Sequence, residues 1–184
     1  MLTVSRTLAR GGALAPVLIA RAPTVELAWD VRQRSRFDAI DSSGRRLGVF
    51  LPRGTVVRGG DVLVAEDGSL VSVRAAREPV LRVRPHPVRG SPFDLLRAAY
   101  HLGNRHVQLE LAPDHLKLEP DHVLADMLRG MGLAVDETEE PFEPEAGAYS
   151  SHGQAHGHGH GHGHGHGHEH AHAHDHARGH EHGG

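Results

Sequence analysis

Through the first half of the chain, apolar and polar residues alternate in short runs. Thr24 to Trp29 alternates with period two, as does the stretch from Phe37 to Ile40. Leu47 to Leu51, Val62 to Ala65 and Leu70 to Arg74 are runs of strand length. Turn clusters separate them: Asp41-Ser42-Ser43-Gly44, Pro52-Arg53-Gly54, Arg58-Gly59-Gly60-Asp61 and the hairpin-like Glu66-Asp67-Gly68-Ser69. From residue 14 to 83 the pattern offers no helical window, which predicts a small β-barrel or sandwich as a first domain over 1–77.

The pattern changes after Glu78-Pro79. Val80 to Pro85 reads as a strand. Ser91-Pro92 is an N-cap followed by proline at N1, and Phe93, Leu95, Leu96, Ala99, Tyr100 and Leu102 recur at helical spacing until Gly103. Val107 to Leu111 and His115 to Leu118 alternate as two strands about the turn Ala112-Pro113-Asp114. Glu119-Pro120-Asp121 opens a second helix, with Val123, Leu124, Met127, Leu128 and Met131 on one face. Gly130 and Gly132 close it, and Leu133 to Val135 is a last strand. The order β-α-β-β-α-β over 78–146 predicts a ferredoxin-like domain. The fold class is therefore a two-domain β plus α+β body followed by a tail.

That tail, 147–184, contains no Val, Leu, Ile, Phe, Met or Trp and is expected to be disordered. It holds 14 of the chain's 19 histidines. They are His152, His156, His158, His160, His162, His164, His166, His168, His170, His172, His174, His176, His180 and His182. Along an extended chain, residues two apart point the same way, roughly 6.5–7 Å from each other. Glycine between them lets the backbone bend so that several imidazoles meet one ion. Neutral imidazole suits Ni²⁺, Cu²⁺, Zn²⁺ and Co²⁺, and without cysteine Cu(I) is less favoured. The tail is expected to bind metal, and its composition does not select among these ions. His168-Glu169-His170-Ala171-His172 fits H-E-x-x-H only because the repeat makes such a match close to inevitable.

Charge divides the body. Residues 1–90 carry a balance of +7 and residues 91–146 a balance of −8, within a net −3 for the chain. A near-neutral total and 4% aromatic residues argue against nucleic-acid binding. The two halves either steer a partner, attract each other or are simply solvated. No apolar run of 18 residues spans a membrane. Arg6, Arg10 and the run Ala13 to Ala20 before Ala20-Arg21-Ala22 resemble a leader peptide, but Pro16 interrupts the run and a strand pattern follows directly. The expectation is a cytoplasmic protein. No phosphate-loop or nucleophile motif is present, so an enzyme reading has little support. In the body, His106 sits at a helix–strand junction and His122 in the first turn of the second helix. Each is open between ligand and surface roles, whereas nothing around His86, His101 and His115 has ligand spacing.

Leu27-Ala28-Trp29-Asp30-Val31-Arg32-Gln33-Arg34-Ser35-Arg36, Leu51-Pro52-Arg53-Gly54 and Gly60-Asp61-Val62-Leu63 resemble the N-terminal domain of the UreE family of urease accessory proteins. Ala99 to His106 (with its Gly103-Asn104-Arg105-His106), Asp121-His122-Val123-Leu124, Phe142-Glu143-Pro144-Glu145 and Gly147-Ala148-Tyr149 resemble its C-terminal domain. The resemblance covers about residues 1–149. It implies a cytoplasmic homodimeric nickel chaperone that supplies Ni²⁺ to apo-urease through an accessory GTPase complex. It also implies an N-terminal domain that engages partners, and His106 as a central ligand contributed by each protomer. His122 corresponds to a peripheral ligand in some members. Those members carry a further His where this chain has Pro120, which leaves His122 open between a ligand and a structural residue. His152 is the expected auxiliary ligand of the central site. A metal-storage protein without a delivery partner is the alternative, and a peptide-binding chaperone with a metal-binding tail is a third reading.

Overall fold

The computed structural model describes residues 1–146. The expected tail, and every candidate ligand from His152 onward, lies outside those residues. The first half forms one six-stranded sheet in the order β2-β6-β5-β1-β4-β3. Its strands are β1 (Leu2–Leu8), β2 (Thr24–Leu27), β3 (Arg36–Ile40), β4 (Arg46–Phe50), β5 (Val62–Ala65) and β6 (Leu70–Ala75). β1 lies inside the sheet, parallel to β4 and antiparallel to β5. The two edges approach where Ser42 N–H donates to the Thr24 carbonyl (2.7 Å) and Thr24 N–H to the Ser42 hydroxyl (2.9 Å). The sheet is thereby curled into a barrel-like shape around Val4, Val25, Leu47, Val49, Leu63, Val71 and Val73. Val25, Val71 and Val73 alternate with more exposed neighbours as a one-sided strand requires, whereas β5 is buried along its whole length.

Two short helices correct the expectation of uninterrupted β-structure. α1 (Pro16–Arg21) begins at the proline that seemed only to break an apolar run; proline is well placed at a helix start, where its missing N–H needs no partner. α2 (Trp29–Arg32) follows β2 directly, so the strand stops at Leu27 and does not run to Trp29.

The turn between β3 and β4 is held by a buried carboxylate. Asp41 accepts from the backbone and hydroxyl of Ser43 and from the backbone and guanidinium of Arg45. Burial pushes its pKa up, but these hydrogen bonds outweigh that and bring it down from 3.8 to about 2. A depressed carboxylate stabilises the fold above its unfolded pKa, and this contribution fades as pH falls toward the folded value. Asp41→Asn is therefore expected to cost about 2 kcal/mol at pH 7. The gap to the unaltered protein should shrink to about half at pH 3 in urea titrations.

The second half has the strand order β10-β7-β9-β8 with all neighbours antiparallel. The elements run β7 (Arg77–Pro85), α3 (Pro92–Gly103), β8 (Glu110–Leu111), β9 (Leu116–Leu118), α4 (His122–Gly130) and β10 (Leu133–Pro141). This is the split β-α-β-β-α-β arrangement that the spacing predicts. Leu95, Ala98 and Leu102 of α3 and Ala125 and Leu128 of α4 bury against Leu81, Val83, Leu116 and Leu118 of the sheet. Asp94 accepts from the Ser91 N–H at 2.8 Å and Asp121 from the Leu124 N–H at 2.9 Å, capping the two helices.

Several features differ from the sequence reading. The strand expected over Val107 to Leu111 is only Glu110–Leu111, because residues 107–109 hydrogen-bond outside the ladder. β10 continues six residues beyond Val135, through charged positions that pair across the sheet with arginines of β7. Arg82 meets Glu140 at 3.1 Å and Arg84 meets Asp136 at 2.6 Å. Part of the opposite charge of residues 1–90 and 91–146 is thus mutual attraction. Finally, Val123 faces outward on α4, and Phe93, Leu96 and Tyr100 do so on α3. A helix cannot bury both the Leu95–Leu102 stripe and the Phe93–Leu96–Tyr100 stripe against one sheet.

Candidate metal centre

α3 ends in a turn that presents His106. The Val107 N–H donates to the Leu102 carbonyl (3.2 Å) and the His106 N–H to the Gly103 carbonyl (2.9 Å). This pair of bonds is a Schellman closure, and His106 occupies its left-handed position with φ 56°. Glycine normally sits there, since a Cβ is disfavoured at positive φ. Val107 packs back on the cluster containing Leu102, as that closure favours. The His106 side chain is exposed.

His106 lines a cleft of about 540 Å³ together with Gln33, Arg105, Gln108, Glu119 and Asp121. A second, more apolar recess of about 390 Å³ reaches His106 from Ala99, Val107 and Leu111. His122 is the first residue of α4, also exposed, and lines a separate recess of about 370 Å³ with Arg129 and Glu137. Pro120 and Asp121 border both clefts, but His106 and His122 share neither. Among the described residues, no three His, Asp or Glu side chains converge closely enough to hold a metal ion. Residues 1–146 therefore offer separate imidazoles and carboxylates, not a closed coordination shell.

The other body histidines have local partners. His115 Nδ1 lies 2.7 Å from Asp114, and this contact first of all holds the Asp114 carboxyl below its ordinary range. His86 Nδ1 accepts from the Val88 N–H at 3.2 Å, and His101 packs edge-on to Tyr100. The sequence does not mark Gln33, Gln108 or Glu119 as site residues. Gln108 adjoins His106 along the chain, but Gln33 and Glu119 reach the cleft only through folding, Gln33 from the end of α2 in the other half of the body.

Residues 4–76 match the family described as UreE urease accessory protein, N-terminal domain, and residues 78–183 the corresponding C-terminal domain. The chain belongs to the UreE family of urease accessory proteins. It is 70% identical over 156 residues to the urease accessory protein UreE of Albidiferax ferrireducens, covering 85% of this chain and 90% of that one. The counterpart in Polaromonas naphthalenivorans is 67% identical over 156 residues, covering 85% and 75%. That in Verminephrobacter eiseniae is 66% identical over 151 residues, covering 82% and 90%. Family membership supports a role in urease maturation. Among the described residues, no helix is long and apolar enough to cross a membrane.

Proposed function

We propose that this chain is a cytoplasmic homodimeric nickel chaperone, not itself an enzyme, that hands Ni²⁺ to apo-urease through an accessory GTPase complex. In this reading residues 1–77 engage partners, 78–146 carry the transfer site and 147–184 gather metal. The observation that carries it is an exposed imidazole with an incomplete ligand set beside an uncovered apolar helix face. His106 is presented on a helix-closing turn, yet the described residues of one chain supply no three converging ligands. A twofold contact brings the same residue from each copy together. His106 from both protomers, with His152 as auxiliary ligand and water in the remaining positions, then makes an exchangeable site. A closed four-ligand site releases metal far less readily. His122 is a peripheral ligand at most. The tail histidines hold further Ni²⁺, for which Zn²⁺, Cu²⁺ and Co²⁺ compete.

Phe93, Leu96 and Tyr100 are 63%, 65% and 67% exposed and lie along one side of α3, next to Ala99 in the His106 recess. Such a stripe favours cover by a second copy. Leu96→Glu is expected to convert the dimer into a folded monomer, seen by light scattering with an unchanged circular dichroism spectrum.

Delivery separates a chaperone from a store. Nickel-loaded protein mixed with apo-urease, the accessory GTPase complex and GTP should activate urease in the presence of a chelator that scavenges free Ni²⁺. Activation no better than from the same total of free Ni²⁺ favours the storage reading.

A further inference from the structure

We infer that α2 of the N-terminal half positions the His106 turn, with Trp29 and Gln108 as the positioning residues; this rests on the reading of His106 as a metal ligand. A non-glycine residue at positive φ persists where its surroundings over-determine it. The turn's own two hydrogen bonds close its helical side. On the other side, Gln108 and Leu109 leave the strand ladder and bond across the body instead. The Trp29 indole Nε1 donates to Gln108 Oε1, and Gln108 Nε2 donates to Gln33 Oε1 at 3.1 Å. The Leu109 carbonyl accepts from the Glu145 N–H at 2.7 Å.

Trp29 is itself fixed. Its backbone N–H donates to Glu78 at 2.9 Å, and its ring meets Phe142 edge-on. The guanidinium groups of Arg32 and Arg58 lie 5.1 and 4.8 Å from the ring centroid. The indole is thus a rigid donor on one half of the body, aimed at a side chain two residues beyond the ligand on the other. Gln33 and Gln108 are exposed on the cleft that also contains His106. A partner protein that enters this cleft and takes the Gln108 amide away from Trp29 loosens the turn, and with it the metal. Partner contact with α2 is in this way coupled to release.

The test uses the full-length chain with His156 and every later histidine changed to Asn and His152 kept, so that nickel leaves only from the central site. Trp29→Phe keeps the ring and removes the donor; Gln108→Leu removes the acceptor. Each is expected to speed Ni²⁺ dissociation to a chelator by roughly three- to tenfold, the size of one net hydrogen bond. The double variant should be no faster than the quicker single one, because both remove the same contact. Amide hydrogen exchange over residues 104–109 should rise in both variants while exchange in β1, β4 and α4 is unchanged. Additive effects on dissociation, or exchange over 104–109 that neither variant moves, would overturn the inference. If the parent chain holds no tight nickel, the ligand reading of His106 fails, and the exchange experiment still decides whether α2 positions the turn.

Discussion

Replacing His106 with glycine is expected to make the protein slightly more stable and unable to hold its tight nickel ion. The residue sits at φ 56°, where a Cβ costs about 1 kcal/mol and glycine pays nothing. The closure of α3 needs only the backbone of this position: the Gly103 and Leu102 carbonyls accept from N–H groups, not from the imidazole. His106→Gly should therefore raise the unfolding free energy by about 0.5–1 kcal/mol in urea titrations. In chains whose histidines from His156 onward are changed to Asn, with His152 kept, the same substitution removes one imidazole of the central site from each protomer. Nickel affinity should fall by more than about a hundredfold, beyond the loss seen when only an outer partner of a ligand is removed. His106→Asn makes the same point with a side chain that tolerates positive φ. Stability and binding moving in opposite directions is the signature of a residue kept for function against local backbone preference. A stability loss on His106→Gly would show that the imidazole has a structural partner instead. Tight binding that survives either change would remove His106 from the centre of the site.

Much of the frame is legible in the sequence because its rules are local. The alternation in β3, the apolar runs of β4 to β6, the Ser91-Pro92 start of α3 and the Asp121 cap of α4 each follow from a few adjacent residues. β1 is harder. Arg6 and Arg10 beside an apolar run suggest a leader, yet Val4 is fully buried between β4 and β5. The end of β10 was hidden for a related reason. Asp136 to Glu140 reads as a solvated acidic segment until the arginines of β7 are placed opposite it. The site divides the same way. Gly103-Asn104-Arg105-His106 marks the proposed ligand, but glycine would ordinarily mark the left-handed residue, and here that residue is His106 itself. The contacts that steady the turn join residues 79 apart, Trp29 to Gln108, and no periodicity reports them. The acidic surplus of the second half likewise gains meaning only in space, where Glu143 lies against Arg32 and Arg58.

Arg32 carries the largest expected loss of stability. Its side chain is fully buried, and each of its donors has a partner. Nε donates to the Leu27 carbonyl at 3.0 Å, Nη1 to Glu143 at 2.6 Å and Nη2 to the Phe142 carbonyl, while Glu78 lies 3.8 Å away. These contacts tie α2 to the segment after β10, so a single guanidinium joins the two halves of the body. Burial pulls the Arg32 pKa down, and the nearby Glu143 and Glu78 oppose that pull. Burial likewise pushes the Glu78 carboxyl up, against the Trp29 N–H and Arg32 that favour its charge. Removing the cation takes the buried counter-charge from Glu143 and Glu78 and the donor from the Phe142 carbonyl, although Gly59 N–H and Arg58 stay on Glu143, Trp29 N–H on Glu78 and Ala76 N–H on the Leu27 carbonyl. Arg32→Met should cost about 3–5 kcal/mol at pH 7. Arg32→Lys keeps the charge but cannot present three donors in one plane, so it should recover only part of the loss. The pH dependence follows from Glu78. A carboxyl whose folded pKa is raised contributes stability below its unfolded pKa and loses it as pH rises through the folded value. Without Arg32 that pKa rises further, so the deficit of Arg32→Met should be largest near neutrality and narrow on acidification into the carboxylate range. Glu143→Gln added to Arg32→Met removes one stranded charge and should return a measurable part of the loss. A deficit independent of pH and untouched by Glu143→Gln would assign the cost to the Leu27 and Phe142 carbonyls alone, and the ion pair would then be a bystander.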